Sequence, residues 1–339
     1  MQMRTLGRTG VKVSPLCLGA MMFGAFGNPD HDDAVRIVHA ALDAGINFVD
    51  TADVYSNGES EEIVGKALAG RREHVVLATK AHMRMGEDPN QRGNSRRWLT
   101  VAVEDSLRRL GTDYIDLYQI HRPDEDTAIS ETLDTLTDLQ RAGKIRYFGS
   151  STFPASQIVQ AQWEAERRRS GRFVTEQPPY SMLVRGIEAE VLPVCQEYGM
   201  GVLPWSPLAG GLLSGKYRKG QPPPQPAGQR PRARFDPDVP ANQRKFAAAD
   251  ELGRLADESG INLVKLAVAF VLRHPAVTSA IIGPRTMDQL VSQLDAADVR
   301  ISDDVLDRID EIVPPGTNIN PADGGWRPPA LVDKARRRR

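Results

Sequence analysis

The sequence predicts an α/β fold: a (β/α)8 TIM barrel with an N-terminal β-hairpin, extra C-terminal helices and long mouth loops. Three observations lead there. Short apolar runs alternate with segments of helical period some eight times along the chain, which favours a parallel barrel over a doubly wound sheet. A single barrel of this kind takes ~250 residues or more, so 339 residues do not require two domains. Finally, three of the apolar runs end on a polar residue where strand meets loop: Phe48-Val49-Asp50, Val75-Val76-Leu77-Ala78-Thr79-Lys80 and Tyr114-Ile115-Asp116-Leu117-Tyr118-Gln119-Ile120-His121. In a parallel barrel such ends share one mouth, where active sites sit.

The elements follow in order. Gly7-Arg8-Thr9-Gly10 turns a hairpin within Leu6 to Val13, placed to close the barrel's bottom, and Leu16 to Met22 is the first barrel strand. Asp32 and Asp33 put acid at a helix start, where it suits the dipole; Val35, Val38 and Leu42 form that helix's inner face and Gly45 ends it. The second strand runs to Asp50, and Glu59-Ser60-Glu61-Glu62 opens a helix with Ile63, Ala67 and Leu68 inward. Beyond Lys80, a polar loop to Arg97 precedes a helix marked by Leu99, Val103, Leu107 and Leu110. After the strand ending at His121, Ile129, Leu133 and Leu136 mark the next helix. Ile145 to Ser151 is strand five, and its helix ends near Arg167-Arg168-Arg169, a solvated face favourable to the dipole.

Phe173 to Gln177 is strand six, Glu188 to Tyr198 a helix, and Gly201 to Trp205 strand seven. Gly215 to Pro240, rich in Pro, Gly, Gln and Arg and without apolar period, reads as a long loop over the mouth. Leu263, Leu266, Ala267, Phe270 and Val271 give a helix with one buried face; Val277 to Ile282 is strand eight, and Thr286 opens its helix. Ser302-Asp303-Asp304 caps a last helix carrying Leu306, Ile309 and Val313. The reading is therefore one domain over 1–320 and a basic, mobile tail over 321–339, ending Lys334-Ala335-Arg336-Arg337-Arg338-Arg339.

The totals narrow the function. A formal net charge of -1 argues against nucleic acid as a partner. Cys17 and Cys195 stand far apart and outside any CxxC pattern, which fits a reducing, cytoplasmic location. Neither a signal peptide at Met1 to Leu6 nor a membrane-spanning run is expected. Metal is not expected either: His31 and His39 lack HExxH spacing. No GxSxG elbow is present, and no GxGxxG follows the first strand.

Asp50, Tyr55, Lys80 and His121, gathered at one mouth, make a proton-donating site with a built-in means of lowering a phenol's pKa. Singly, each has a plainer reading. An Asp at a strand end caps a loop, a lone Tyr packs, a Lys at a strand end is solvated, and a lone His is structural. Asp53 rivals Asp50, and His82 rivals His121, on position alone.

Taken in order, the four resemble the catalytic tetrad of the aldo-keto reductases. Other stretches are similar too: Gly19-Ala20-Met21-Met22-Phe23-Gly24, Phe48 through Tyr55, His121-Arg122-Pro123-Asp124, Trp205-Ser206-Pro207-Leu208-Ala209-Gly210-Gly211, and Ile281-Ile282-Gly283-Pro284-Arg285-Thr286. The likeness runs from about Thr5 to about Val313 and points to the bacterial branch that also resembles potassium-channel β subunits.

The resemblance implies NADPH-dependent reduction of a small aldehyde or ketone. No side chain donates hydride, so a nicotinamide cofactor supplies it. Tyr55 becomes the acid, with Lys80 and His121 tuning it and Asp50 holding Lys80 charged. An ammonium ~4 Å from the phenol at an effective dielectric of ~20 interacts by about 4 kcal/mol, which bounds the lowering at roughly 3 pH units. The resemblance also implies that Ser150, Ser151 and Gln177 hold the nicotinamide amide and that Trp205 stacks on its ring. Ser206, Leu208 and Gly210 follow the pyrophosphate; Gln289 and Gln293 reach the adenosine; and Gly19, Met21, Asp50, Pro207 and Lys216 complete the cofactor set. The family often carries Asn at the positions of Ser151 and Gln293. Gly283 and Pro284 turn the chain, Thr286 opens a helix whose N–H groups suit phosphate, and Arg285 suits an adenosine 2′-phosphate, favouring NADP over NAD. Met22, Phe23 and Arg122, with Tyr55 and His121, face the substrate. Two other classes remain open: an NADPH-sensing binding module like the channel subunits, and a Schiff-base lyase using Lys80.

Overall fold

In the computed structural model, which describes residues 1–217, 235–236 and 238–338, eight apolar runs form one parallel sheet. A short antiparallel hairpin comes first, β1 (Arg4–Thr5) with β2 (Lys12–Val13). The sheet strands are β3 (Leu16–Gly19), β4 (Phe48–Asp50), β5 (Val76–Ala81), β6 (Ile115–Ile120), β7 (Ile145–Ser151), β8 (Thr175–Gln177), β9 (Gly201–Val202) and β10 (Ala280–Ile282). Their order is β10-β3-β4-β5-β6-β7-β8-β9. Parallel bridges Val202–Val277 and Trp205–Ile281 join the two remaining edges and close the barrel.

The helices α1 (His31–Asp43), α2 (Glu59–Leu68), α3 (Arg96–Leu110), α4 (Ile129–Arg141), α5 (Ala155–Arg168) and α6 (Val191–Glu197) connect successive strands. Between β9 and β10 lie α7 (Pro240–Glu258) and α8 (Leu263–Arg273); α9 (Met287–Val291), α10 (Asp303–Ile312) and α11 (Pro329–Val332) follow β10.

Strand alternation sorts the side chains into two cores. Leu18, Val49, Leu77, Tyr118, Phe148 and Ile282 face outward into the main core under the helices. Cys17, Phe48, Ala78, Leu117, Leu203 and Ile281 face inward and pack on one another inside the barrel. Leu6 and Val13 join this inner cluster, so the hairpin plugs the end opposite the mouth, as its sequence predicts.

Several expectations change at their edges. The first, sixth, seventh and eighth barrel strands are shorter than the apolar runs, because a run that continues past its paired neighbours keeps burial without a ladder. Most of the stretch read as the Gly215–Pro240 loop lies outside the described residues, although Phe235 at its far end is buried and stacks on Tyr217. Helix α7 was not anticipated. Its buried face is built from Asn242, Lys245, Ala249, Leu252 and Ala256, a helical spacing hidden because small and polar residues occupy it. Residues at the start of the segment read as a tail lie against the body: Asp323 is buried and pairs with the buried Lys245 at 2.9 Å. Among the described residues no helix is long and apolar enough to cross a membrane.

Candidate active site

The mouth continues the inward alternation of the barrel wall. Two residues above Phe48, Ala78 and Leu117 come Asp50, Lys80 and Gln119, so each strand that buries an apolar group inside presents a polar one at its C-terminal end. Gln177, ending β8, faces the same space. Asp50 is the hub. Its Oδ2 accepts from Lys80 Nζ at 2.6 Å, and its Oδ1 accepts from Gln119 Nε2 at 3.1 Å and Gln177 Nε2 at 2.9 Å.

Lys80 is fully buried, and its ammonium has three protons to place. They go to Asp50 Oδ2, to the Thr51 carbonyl at 2.7 Å and to the Tyr55 hydroxyl oxygen at 3.3 Å. Burial alone lowers the lysine's pKa, but Asp50 and Tyr55 outweigh it and hold the group above its ordinary value. Because Lys80 donates to the Tyr55 oxygen, the phenol's own proton remains free for another acceptor. Asp53, the positional rival of Asp50, is buried with one carboxylate oxygen donated to by the Val54 N–H at 2.6 Å and takes no part in this cluster.

Tyr55 reaches its place through an unusual turn. Ser56, Asn57 and Gly58 all adopt positive φ (48°, 57° and 97°) before α2 begins. Two non-glycine residues in that region mark stored strain of the kind found where a side chain must be aimed. Ser56 anchors the turn by donating to the Phe23 carbonyl at 2.9 Å, and the Phe26 N–H donates back to Ser56 Oγ at 3.1 Å. The Tyr55 ring meets the His121 ring edge-on, with centroids 5.8 Å apart.

The electrostatics correct one expectation. Lys80 does pull the phenol's pKa down, but burial pushes it up more strongly and Asp50 adds to the rise, so Tyr55 sits above its ordinary value. The lysine's neighbouring carboxylate cancels much of its field. His121 moves the other way: burial, then Lys80, Arg122 and His82, hold it well below the usual imidazole range. It is therefore neutral at pH 7, and its buried Nδ1 has no partner among the described residues. His82, the rival, is tied by Nδ1 to Asn94 Oδ1 at 2.9 Å. Asp124 accepts from the Asn94 N–H and Thr127 Oγ1, so the end of the His121-Arg122-Pro123-Asp124 run braces the surrounding loops.

A nicotinamide dinucleotide fits the donors around this cluster. Trp205 lies half-buried at the rim, with its backbone N–H bonded to the Pro178 carbonyl. After it, Ser206, Ala209, Gly210 and Gly211 all take positive φ, a curled backbone of the sort that cradles phosphate. Ser206 Oγ accepts from the Gly210 N–H at 2.9 Å. Pro207 is buried, Leu208 partly so, and Lys216 is exposed. After the neighbouring strand β10, bridged to this segment at Trp205–Ile281, Gly283 is exposed and a side chain there would meet open space. Arg285 is half-buried; its N–H donates to Gln289 Oε1 at 2.8 Å and its carbonyl accepts from Asn28 Nδ2. Thr286 caps α9, and Gln293 is buried with Oε1 unpartnered among the described residues and Nε2 on the Gln289 carbonyl.

Comparison with known proteins meets the same features. The family model for the Aldo/keto reductase family matches residues 15–314. The chain belongs to the aldo/keto reductase family. As an aldo/keto reductase it is an NAD(P)-dependent oxidoreductase of carbonyl and CH–OH groups. It is 40% identical over 338 residues to "Uncharacterized oxidoreductase YrpG" of Bacillus subtilis (strain 168), covering 96% of this chain and 100% of that one. A "Probable voltage-gated potassium channel subunit beta" of Oryza sativa subsp. japonica is 37% identical over 327 residues, 92% of this chain and 97% of its own. "Versiconal hemiacetal acetate reductase" of Aspergillus parasiticus is 32% identical over 346 residues, 92% and 96% of the two chains.

Within this aldo/keto reductase, strand parity redistributes some anticipated roles. Ser150 faces outward, not into the mouth, and donates to Glu176 Oε2 at 2.5 Å. Ser151 takes the inward position, donating to the Gln177 carbonyl at 2.9 Å. Beside it, Thr152 adopts φ 61° and was not singled out by sequence. Phe23 is fully buried in the main core, whereas Met22 is nearly buried and Met21 is 42% exposed. A Cβ at Gly19 would lie 2.7 Å from Ile281 Cγ2 and 3.1 Å from the Ile282 carbonyl oxygen, so a side chain there would force its neighbours to shift. Arg122 sits beside the cluster, its guanidinium donating to the His121 carbonyl. Sequence reasoning missed Gln119, Thr51 and Glu176. Gln119 was within reach of it, being two residues from Leu117 and in register with Lys80.

Proposed function

We propose that the enzyme reduces an aldehyde or ketone to an alcohol with NADPH, and that Tyr55 donates the proton. The observation that carries this reading is the Lys80 Nζ contact to the Tyr55 oxygen at 3.3 Å, with Lys80 itself held by Asp50. When bound, the cofactor supplies hydride to the carbonyl carbon. Tyr55 then gives its free proton to the developing alkoxide, and the Lys80 ammonium stabilises the phenolate left behind. Neutral His121 has an N–H to orient the carbonyl oxygen without competing as a strong acid. Ser151 and Gln177 at the strand ends, with Thr152 beside them, suit the nicotinamide amide, and the curled Ser206–Gly211 backbone suits the pyrophosphate. Arg285, half-buried next to the open Gly283, supports NADPH over NADH through charge-assisted contacts to a 2′-phosphate.

The likeness to proteins named as channel β subunits supports a second reading, an NADPH-holding module acting through a partner. A lyase working through a Lys80 imine is disfavoured, because Asp50 keeps the amine protonated and its three donors are engaged. The experiment is NADPH oxidation at ~340 nm, the reduced nicotinamide band, over a panel of simple aldehydes, dicarbonyls, quinones and sugars, with Tyr55→Phe alongside. Loss of about 10²-fold or more in Tyr55→Phe with NADPH binding retained supports the proton-donor role. Equal rates sink it, and tight NADPH binding without turnover in the parent favours the second reading.

A further inference from the structure

We propose that Glu176 is a positioning residue for the nicotinamide end of the site: its carboxylate holds the turn after β7 from behind the barrel wall, and gaining a proton there weakens cofactor binding. This rests on the cofactor reading above.

Glu176 pairs in register with Ser150, so its side chain points out of the barrel, and it is fully buried. Its two oxygens collect donors from one short segment. Oε2 accepts from Ser150 Oγ at 2.5 Å, Oε1 accepts from the Phe153 N–H at 3.1 Å, and the Thr152 backbone also acts on the carboxylate. That segment carries Thr152 at φ 61°, a conformation a β-branched residue avoids unless its surroundings impose it. The next residue along β8 is Gln177, which faces inward and donates to Asp50. One outward carboxylate thus fixes what Ser151, Thr152 and Gln177 present on the inward side.

Among the described residues, Arg122 and Cys195 act on it from the elements packed around it. Arg122, from the loop after β6, favours the carboxylate, and the Cys195 thiol of α6 is itself pushed up by burial and then by Glu176. Burial raises the Glu176 carboxyl to about 7, its hydrogen bonds and Arg122 offsetting only part. A proton on either oxygen turns an acceptor into a donor, so one of the contacts to the turn is lost or reversed. Linkage makes the effect reciprocal, and cofactor binding favours the carboxylate.

The test is the NADPH Kd of the full chain by nucleotide fluorescence, from about pH 5.5 to about pH 8.5, for the parent and Glu176→Gln. The ratio of the two Kd values cancels titration of the cofactor's own phosphate. Loss of a charge-assisted bond predicts a ratio of about tenfold at the alkaline end, approaching one at the acid end. Ser150→Ala keeps the carboxylate but removes a donor, so the midpoint of its pH profile moves up relative to the parent; this arm holds if Glu176→Gln fails to fold. A ratio independent of pH, or an unmoved midpoint in Ser150→Ala, overturns the Glu176 role while leaving the cofactor reading intact. Failure of the parent to bind NADPH at any pH overturns the cofactor reading, and this role with it.

Discussion

Replacing Asp50 with Asn leaves the shape of the mouth but removes the carboxylate hydrogen-bonded to the buried Lys80 ammonium. The Asp50 and Lys80 side chains are 3% and 0% exposed, so water cannot take over. The introduced asparagine can offer Lys80 its carbonyl oxygen, but its amide then faces the amide donors of Gln119 and Gln177; reversed, it faces the ammonium. Breaking a buried pair from one side costs ~3–5 kcal/mol. Across this chain, an unfolding entropy of ~2.1 cal/mol/K per residue turns that into a Tm lower by about 4–7 °C.

The pH dependence is a sharper test. In the parent, Lys80 has a raised pKa, so its contribution is complete below the unfolded value of ~10.4 and is lost as pH rises through the folded one. In Asp50→Asn, burial dominates and the folded pKa falls below the unfolded one. The folded state then binds fewer protons, and the variant's defect shrinks as pH rises from neutral toward ~10. Urea melts of parent and variant at about pH 6 and about pH 9 measure this. The paired change Asp50→Leu with Lys80→Met removes both charges together and should recover only part of the stability, because the buried Gln119 and Gln177 amides lose Asp50 as acceptor, while abolishing turnover. A stable Asp50→Asn, or a defect that grows with pH, would falsify the argument that Asp50 exists to keep Lys80 charged.

Other outcomes follow from the same geometry. Arg285→Ala should weaken NADPH binding by about tenfold or more and leave NADH nearly unchanged, as loss of a charge-assisted phosphate contact requires; parallel titrations with both cofactors decide it. Since Tyr55 lies above its ordinary pKa of ~10, kcat for reduction with saturating cofactor should fall only above that pH, and no step from His121 should appear near pH ~6.5; a pH–rate profile with such a step refutes the neutral-imidazole role. Lys245→Met removes the 2.9 Å ion pair with Asp323, which is only 6% exposed, and should lower the stability while exposing the segment near Pro321–Gly324 to limited proteolysis; an unchanged melt and cleavage pattern would deny the clasp.

Much of this enzyme was legible in its sequence because the relevant physics is local and periodic. Apolar runs of strand length alternating with helical faces specify the barrel, and Asp50, Lys80 and His121 stand where those runs end, so topology alone carries them to one mouth. Tyr55 was legible from its motif rather than its surroundings. The helix α7 was not, since polar Asn242 and Lys245 and small alanines interrupt the apolar spacing of its buried face around Leu252 and Leu255, and Lys245 finds its partner Asp323 only in the folded chain. Strand parity in the Ser150–Thr152 stretch was also out of reach: a shift of one residue exchanges inward for outward, and only pairing with Glu176 and Gln177 decides which serine meets the mouth. The sign of the Tyr55 shift needed the fold as well. Sequence names the ammonium that lowers a phenol's pKa, but how far burial and a neighbouring carboxylate oppose it depends on dielectric and distance, which exist only once the chain has closed around them.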